Sequence, residues 1–324
     1  VIAHNVSRDH YAAIFNEMVA SELDVIMGAG HPLYDGNGRK VPQSELDDDR
    51  FRYVGGRATW NRLTSDDGLN GFTFLDQVSD FQKLADGETL PERVVGIARS
   101  NTTLQAARDD LPDHDTVSGM ARRDDVPSLA SMVVGALNVL DQNPEGFYLL
   151  AEGGAVDWMG HANNMPRFIE EQMDFDRAVA AVIEWVEKHS SWDETLLIVT
   201  SDHETGGIWG AGTFQNGVGG PVAKTRSKEA LKAARFDPTG DIFNEFRAVQ
   251  NRGKGRLPGY QWASGNHTNE LVTLWAIGAG AEQFHEFTRT DLRAKVLWGD
   301  PYGWDGDYVD NTAVFHVMKD ALTQ

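Results

Sequence analysis

The chain contains no cysteine. Disulfides and thiolate metal ligands are therefore excluded, and any zinc bound by this protein must be held by imidazole and carboxylate. No apolar run is long enough to cross a bilayer, and no leader-like stretch is visible. Internal repeats and low-complexity tracts are lacking too. Positive charge is scarce: 29 Lys and Arg stand against 49 Asp and Glu, a net charge of −20. An acidic surface of that kind disfavours nucleic acid and anionic membranes. The excess is denser around residues 45–49 and 108–110, and it suits a salt-rich habitat and an ordinary acidic soluble protein equally. The remaining composition, 41% apolar and 24% charged, supports a substantial core, as one large α/β domain or two ordinary ones.

One stretch organises the rest. Residues 147–151, F-Y-L-L-A, read as a short buried strand, and E-G-G-A-V-D-W-M-G-H-A-N-N follows at 152–164. Glu152 would close the strand, at the end where open α/β sheets gather their chemistry. On a helical turn, Asp157 and His161, four residues apart, share one face. Two carboxylates and an imidazole within ten residues make a plausible metal cradle, although the same residues would also serve a capped loop facing water. Two later stretches shift that balance. The run Leu196–Thr200 ends in Ser201, Asp202 and His203, and Gly265-Asn266-His267-Thr268 stands just before the apolar run 271–277. Three candidate strands therefore each have Asp or His at one end, which points to a shared metal site.

Around these motifs the chain reads as alternating strands and helices. Ile14 and Met18 mark a helix after Arg8, and residues 24–30 read as strand followed by a glycine turn. Residues 94–97 form another short strand. Ser128 caps a helix with Leu129, Met132, Val133, Ala136, Leu137 and Leu140 on its apolar face. Asn164 and Pro166 start a second helix, carrying Phe168, Ile169, Met173, Val179, Val182, Ile183 and Val186. Strand, motif, helix, strand and motif together predict a βαβ unit and a parallel sheet. Residues 31–70 are polar and read as surface structure. Residues 209–262 are Gly-rich and charged, and read as an excursion over the site.

The three motifs, in this order and with this internal spacing, resemble the metal-ligand motifs of the alkaline phosphatases. The opening A-H-N-V-S-R, ending at Arg8, is similar to the segment carrying that family's phosphate-binding arginine. The resemblance runs to about Asn311. It implies an α/β three-layer sandwich with a mostly parallel central sheet, spanning 1–324 as one domain with insertions at about 31–70 and 209–262. It implies two zinc sites, the first from Asp157, His161 and His267 and the second mostly from Asp202 and His203. It also implies one magnesium site with Glu152 as ligand, and Arg8 as the grip on phosphate. Trp158 occupies a position that is Lys, His or Trp in the family. The implied activity is hydrolysis of small phosphate monoesters through a phosphoseryl intermediate, in a periplasmic or secreted homodimer.

One part of the family pattern is not found. The nucleophilic serine belongs to a D-S-A segment upstream of the arginine, and no such segment occurs here. The family's bridging aspartate and magnesium-binding threonine also fall before the position matching Val1. These 324 residues therefore read as the C-terminal portion of a longer phosphatase, with a separate N-terminal segment as expected partner. The competing readings are a phosphodiesterase- or sulfatase-type member of the same superfamily, and a metal-binding inactive fragment.

Overall fold

The computed structural model describes residues 3–110, 112–210, 249, 251–292 and 305–322. They fall into two compact units, one of residues 1–159 with 166–185 and one of residues 160–165 with 186–324.

The first unit is built on a small parallel sheet. Tyr11–Ala20 (α1) leads into Val25–Gly28 (β1). Arg57–Leu63 (α2), Thr73–Leu75 (β2), Val78–Ala85 (α3) and Val94–Ile97 (β3) follow. The strand order is β1-β3-β2, with both neighbours parallel to β3. β3 is buried at every position, as expected of a parallel strand covered on both faces. The period of two sorts its residues. Ile26, Val95 and Ile97 meet Phe15 and Val19 of α1 together with Phe51, Val54, Trp60 and Leu63. On the other face Val94 packs with Leu84 of α3 and Val139 of Leu129–Leu140 (α4), against Val25 and Met27.

Several sequence expectations hold here and one does not. Ser128 caps α4, its hydroxyl accepting from the Ser131 N–H at 3.0 Å. Met132, Val133, Ala136, Leu137 and Leu140 are buried as their spacing predicts. Residues 31–70, however, are not a surface segment, because Phe51, Val54, Trp60, Leu63 and Leu69 belong to the main core. Their polar neighbours stay at the rim. Arg57, for example, lays its guanidinium 4.1 Å from the centroid of the Phe51 ring while pairing with Asp48 at 2.7 Å. The abundance of Arg and Asp hid a core stripe.

Residues 147–151 do not form a strand among the described residues, and Tyr148 and Leu150 are 50% and 67% exposed. An apolar run shows that a segment is suited to a sheet, but a strand also needs a hydrogen-bonded neighbour. The chain continues through Ala155–His161 (α5) and Met165–His189 (α6), so Pro166 is the second helical residue, not the first. The buried side of α6 is not purely apolar. Arg167, Glu171 and Asp174 are buried on it with Ala178 and Trp185, whereas Met173 is 44% exposed.

In the second unit Leu196–Val199 (β4) is followed by Glu204–Thr205 (β5), Ile208–Gly210 (β6), Tyr260–Trp262 (β7), His267–Thr268 (β8) and Trp275–Gly278 (β9). All pair antiparallel: β4 with β9, β5 with β8, β6 with β7. The expected βαβ unit linking residues 147–151 to β4 is therefore not formed among the described residues. Phe284, Ala313 and Val317, the last two on Thr312–Ala321 (α7), cover one side of β4 and β9 through Leu196, Ile198, Leu274 and Ala276. Most of the excursion expected at 209–262 lies outside the described residues. No helix among those described is long and apolar enough to cross a membrane.

Candidate metal centre

α5 carries Asp157 and His161 one turn apart, and each offers a ligand atom within 4.8 Å of the other. The spacing of four delivers the shared face that the sequence predicts. The Gly160 between them lets the end of α5 come close to β5. A Cβ there would stand 3.0 Å from Thr205 Cγ2 and 3.1 Å from its carbonyl oxygen. Asn163 then holds the third motif, its amide donating to the Ser264 carbonyl at 2.8 Å.

The imidazoles converge in the second unit. His161 Nδ1 lies 2.7 Å from the Gly265 carbonyl oxygen, and its Nε2 lies 3.1 Å from His267 Nε2. A carbonyl only accepts, so Nδ1 is the donor and the neutral ring presents a bare Nε2. A ring held through Nδ1–H by a backbone carbonyl is the usual arrangement behind a metal-binding histidine. Two imidazole nitrogens at 3.1 Å share either a proton or a cation. The His203 ring stacks on that of His267 with centroids 3.5 Å apart, and its Nε2 lies 3.1 Å from the exposed carboxylate of Asp202. All three motifs thus contribute histidines to one cluster. The donor set is nitrogen and carboxylate oxygen, which suits zinc.

The remaining expected residues stand in the first unit. Arg8 is exposed in the turn before α1. That turn is tied to α1 by Glu17, which accepts from the His4 N–H at 2.7 Å and the Asn5 amide at 3.1 Å. Glu152 and the half-exposed Trp158 border a cavity of about 510 Å³, together with Met27 of β1 and Met132 of α4.

Sequence reasoning missed two features. Glu204, inside the second motif, accepts three donors, and the Thr268 hydroxyl at 2.6 Å is among them. Burial, with the charge of Glu204, raises the pKa of neighbouring Glu270. The other feature is an ionic layer beneath the same cavity. Arg108 pairs with Glu170, and Arg122 with Asp174 at 2.6 Å. Glu171 is buried with Oε1 lacking a hydrogen-bond partner among the described residues. Burial, then the charge of Asp174, pushes its carboxyl up to about 7. The cluster of acidic residues Glu170, Glu171 and Asp174 was the available signal, but on a helix a charge cluster usually marks a solvated face.

Fold and site together define an α/β protein with a candidate histidine–carboxylate centre. The chain belongs to the alkaline phosphatase family, whose model matches residues 2–298. It is 27% identical to alkaline phosphatase 4 of Bacillus subtilis over 331 aligned residues, covering 91% of this chain and 62% of that protein. Its fold is similar to that of the cold-active alkaline phosphatase of the psychrophile Shewanella sp., with a TM-score of 0.54 and 23% identity, covering 87% of this chain and 66% of that one. The Thermus thermophilus alkaline phosphatase gives a TM-score of 0.52 at 18% identity, covering 98% of this chain and 70% of that one. The chain thus spans 62% and 63% of the length of alkaline phosphatases 4 and 3 of Bacillus subtilis.

Proposed function

We propose that this chain is the metal-binding portion of an alkaline phosphatase that hydrolyses phosphate monoesters. The observation that carries the reading is His161, clamped through Nδ1 to the Gly265 carbonyl with Nε2 turned to His267. Asp157, His161 and His267 would hold one zinc ion, Asp202 and His203 most of a second, and Glu152 a magnesium ion. Such ions supply Lewis-acid stabilisation of the attacking and leaving oxygens in an in-line displacement. The Arg8 guanidinium would grip two non-bridging phosphoryl oxygens with its planar fork.

The nucleophile is assigned to a serine on a segment upstream of residue 1, forming a phosphoseryl intermediate. The chain's share of its relatives' length supports this, as does the edge position of β1, which among the described residues pairs only with β3, beside the cavity that residues 149–151 also border. The whole protein is read as one phosphatase domain acting as a periplasmic or secreted homodimer on small phosphate esters, following the family resemblance.

The test is metal stoichiometry. The wild-type chain is expected to retain zinc through gel filtration, and His267→Ala, which removes one of three protein ligands, to lose the first site while keeping its far-ultraviolet circular dichroism. Equal zinc content in the two proteins would overturn the assignment. Turnover of p-nitrophenyl phosphate at alkaline pH, expected only with the upstream segment present, separates the phosphatase reading from mere metal binding.

A further inference from the structure

We propose that Glu204 is a positioning residue that, with Thr268, locks the His203 and His267 motifs in register. The proposal rests on the metal-centre reading, but part of it can be read without metal.

β5 and β8 are each two residues long. In their ladder Glu204 faces Thr268 and Thr205 faces His267. A ladder so short specifies its register weakly, and a slip of one residue would send the His267 ring to the opposite face. The lock comes from side chains. The residue after His203 accepts the hydroxyl of the residue after His267, Thr268 Oγ1 to Glu204 Oε2 at 2.6 Å. The same carboxylate accepts the Gly207 N–H at 2.8 Å and the Ile208 N–H at 3.3 Å. One ionised group thereby ties β8 to the turn after β5, through hydrogen bonds stronger than neutral ones.

The residue types fit that task. A carboxylate is acceptor-only, with room for about four donors. Glutamine would turn an NH₂ group toward donors, and aspartate is one methylene shorter. The turn beneath the carboxylate needs its glycines, since Gly206 has φ +96° and a Cβ there would lie 2.4 Å from the Trp262 ring. The consequence falls on the imidazoles. With register held, His267 keeps its 3.5 Å stack on His203 and its 3.1 Å approach to His161.

Cobalt(II) titration of the 324-residue chain, followed by its visible bands, tests the proposal, with His267→Ala as ligand control. Glu204→Gln and Thr268→Val are each expected to weaken cobalt binding on the order of 10- to 100-fold, the range for partners standing behind a ligand. The double variant should be no weaker than the weaker single one, because both changes break one unit. Thr268→Ser, which keeps the hydroxyl, should retain wild-type affinity and band positions. In metal-free protein the ring-proton resonances of His203 and His267, shifted by stacking, should relax in Thr268→Val and not in Thr268→Ser. Should Thr268→Val fail to fold, Thr268→Ala, with no branched methyl to misplace, takes the same measurements. Unchanged affinity and unchanged ring resonances in both Glu204→Gln and Thr268→Val would overturn the lock. If the wild-type chain takes up no cobalt, the metal-centre reading fails, and the ring resonances alone decide whether the lock exists.

Discussion

Trp158 directly follows Asp157 and is 50% exposed, so it is not committed to the core. An indole offers one weak donor and a large apolar body, and no charge for phosphate. Trp158→Lys therefore costs little packing and adds a cation beside the proposed centre. Calorimetry of inorganic phosphate binding to the zinc-loaded chain is expected to show affinity tightened by about 1 kcal/mol, the scale of a solvated charge pair. Identical phosphate affinity in the two proteins would remove this position from the site. His31 illustrates the opposite case. It is almost fully buried, with Nε2 3.3 Å from Asp76 and edge-on contacts to Tyr34 and Trp60. Burial holds its pKa below the usual value, and it serves as a structural histidine.

Among the elements, α6 carries one pH-dependent contribution to stability. Glu171 is raised from 4.5 to about 7 by burial and by Asp174. Its folded value exceeds its unfolded one, so between those pH values the native state keeps a proton that the unfolded chain has released. Stability from this group is full below about pH 4.5 and is lost as pH rises through about 7. The shift corresponds to roughly 3 kcal/mol as an upper bound. Denaturant melts of the metal-free chain should show stability declining from pH 5 to pH 8, and Glu171→Gln should flatten that decline. A slope that survives the substitution would place its origin elsewhere. α4 shows why some elements were legible. Its cap and apolar stripe are local properties of the sequence, and both appear as expected. The strand expected at 147–151 depended on a neighbour, and the antiparallel partner of β4 lies some eighty residues away at β9. Pairing of that kind leaves no local trace. α6 misled for a different reason, since its buried face is partly ionic and was balanced by Arg108 and Arg122 from another part of the chain.

At the scale of the molecule, the motif residues were legible because metal-type chemistry demands particular side chains at particular spacings. Asp157, His161, Asp202, His203 and His267 all carried that signature. The groups that hold them, the Gly265 carbonyl, Asn163 and the Glu204–Thr268 pair, did not, because backbone carbonyls and hydroxyls have no distinctive pattern in sequence. The approach of His161 to His267 joins positions 106 residues apart. An ion shared by them would be a cross-link, tying a large loop in a chain that has no cysteine with which to make one. By the loop-closure argument used for disulfides, a tie of about that length removes unfolded-state entropy worth roughly 4–5 kcal/mol. Scanning calorimetry with zinc and then with excess EDTA is expected to lower the melting temperature by many degrees, and His161→Ala should abolish the difference. An EDTA-insensitive transition would count against the tie. The centre would thus act as a reversible staple, fastened where zinc is available and undone by any chelator that outcompetes it. The protein's resistance to heat would then be set by the metal content of its surroundings as well as by its own core.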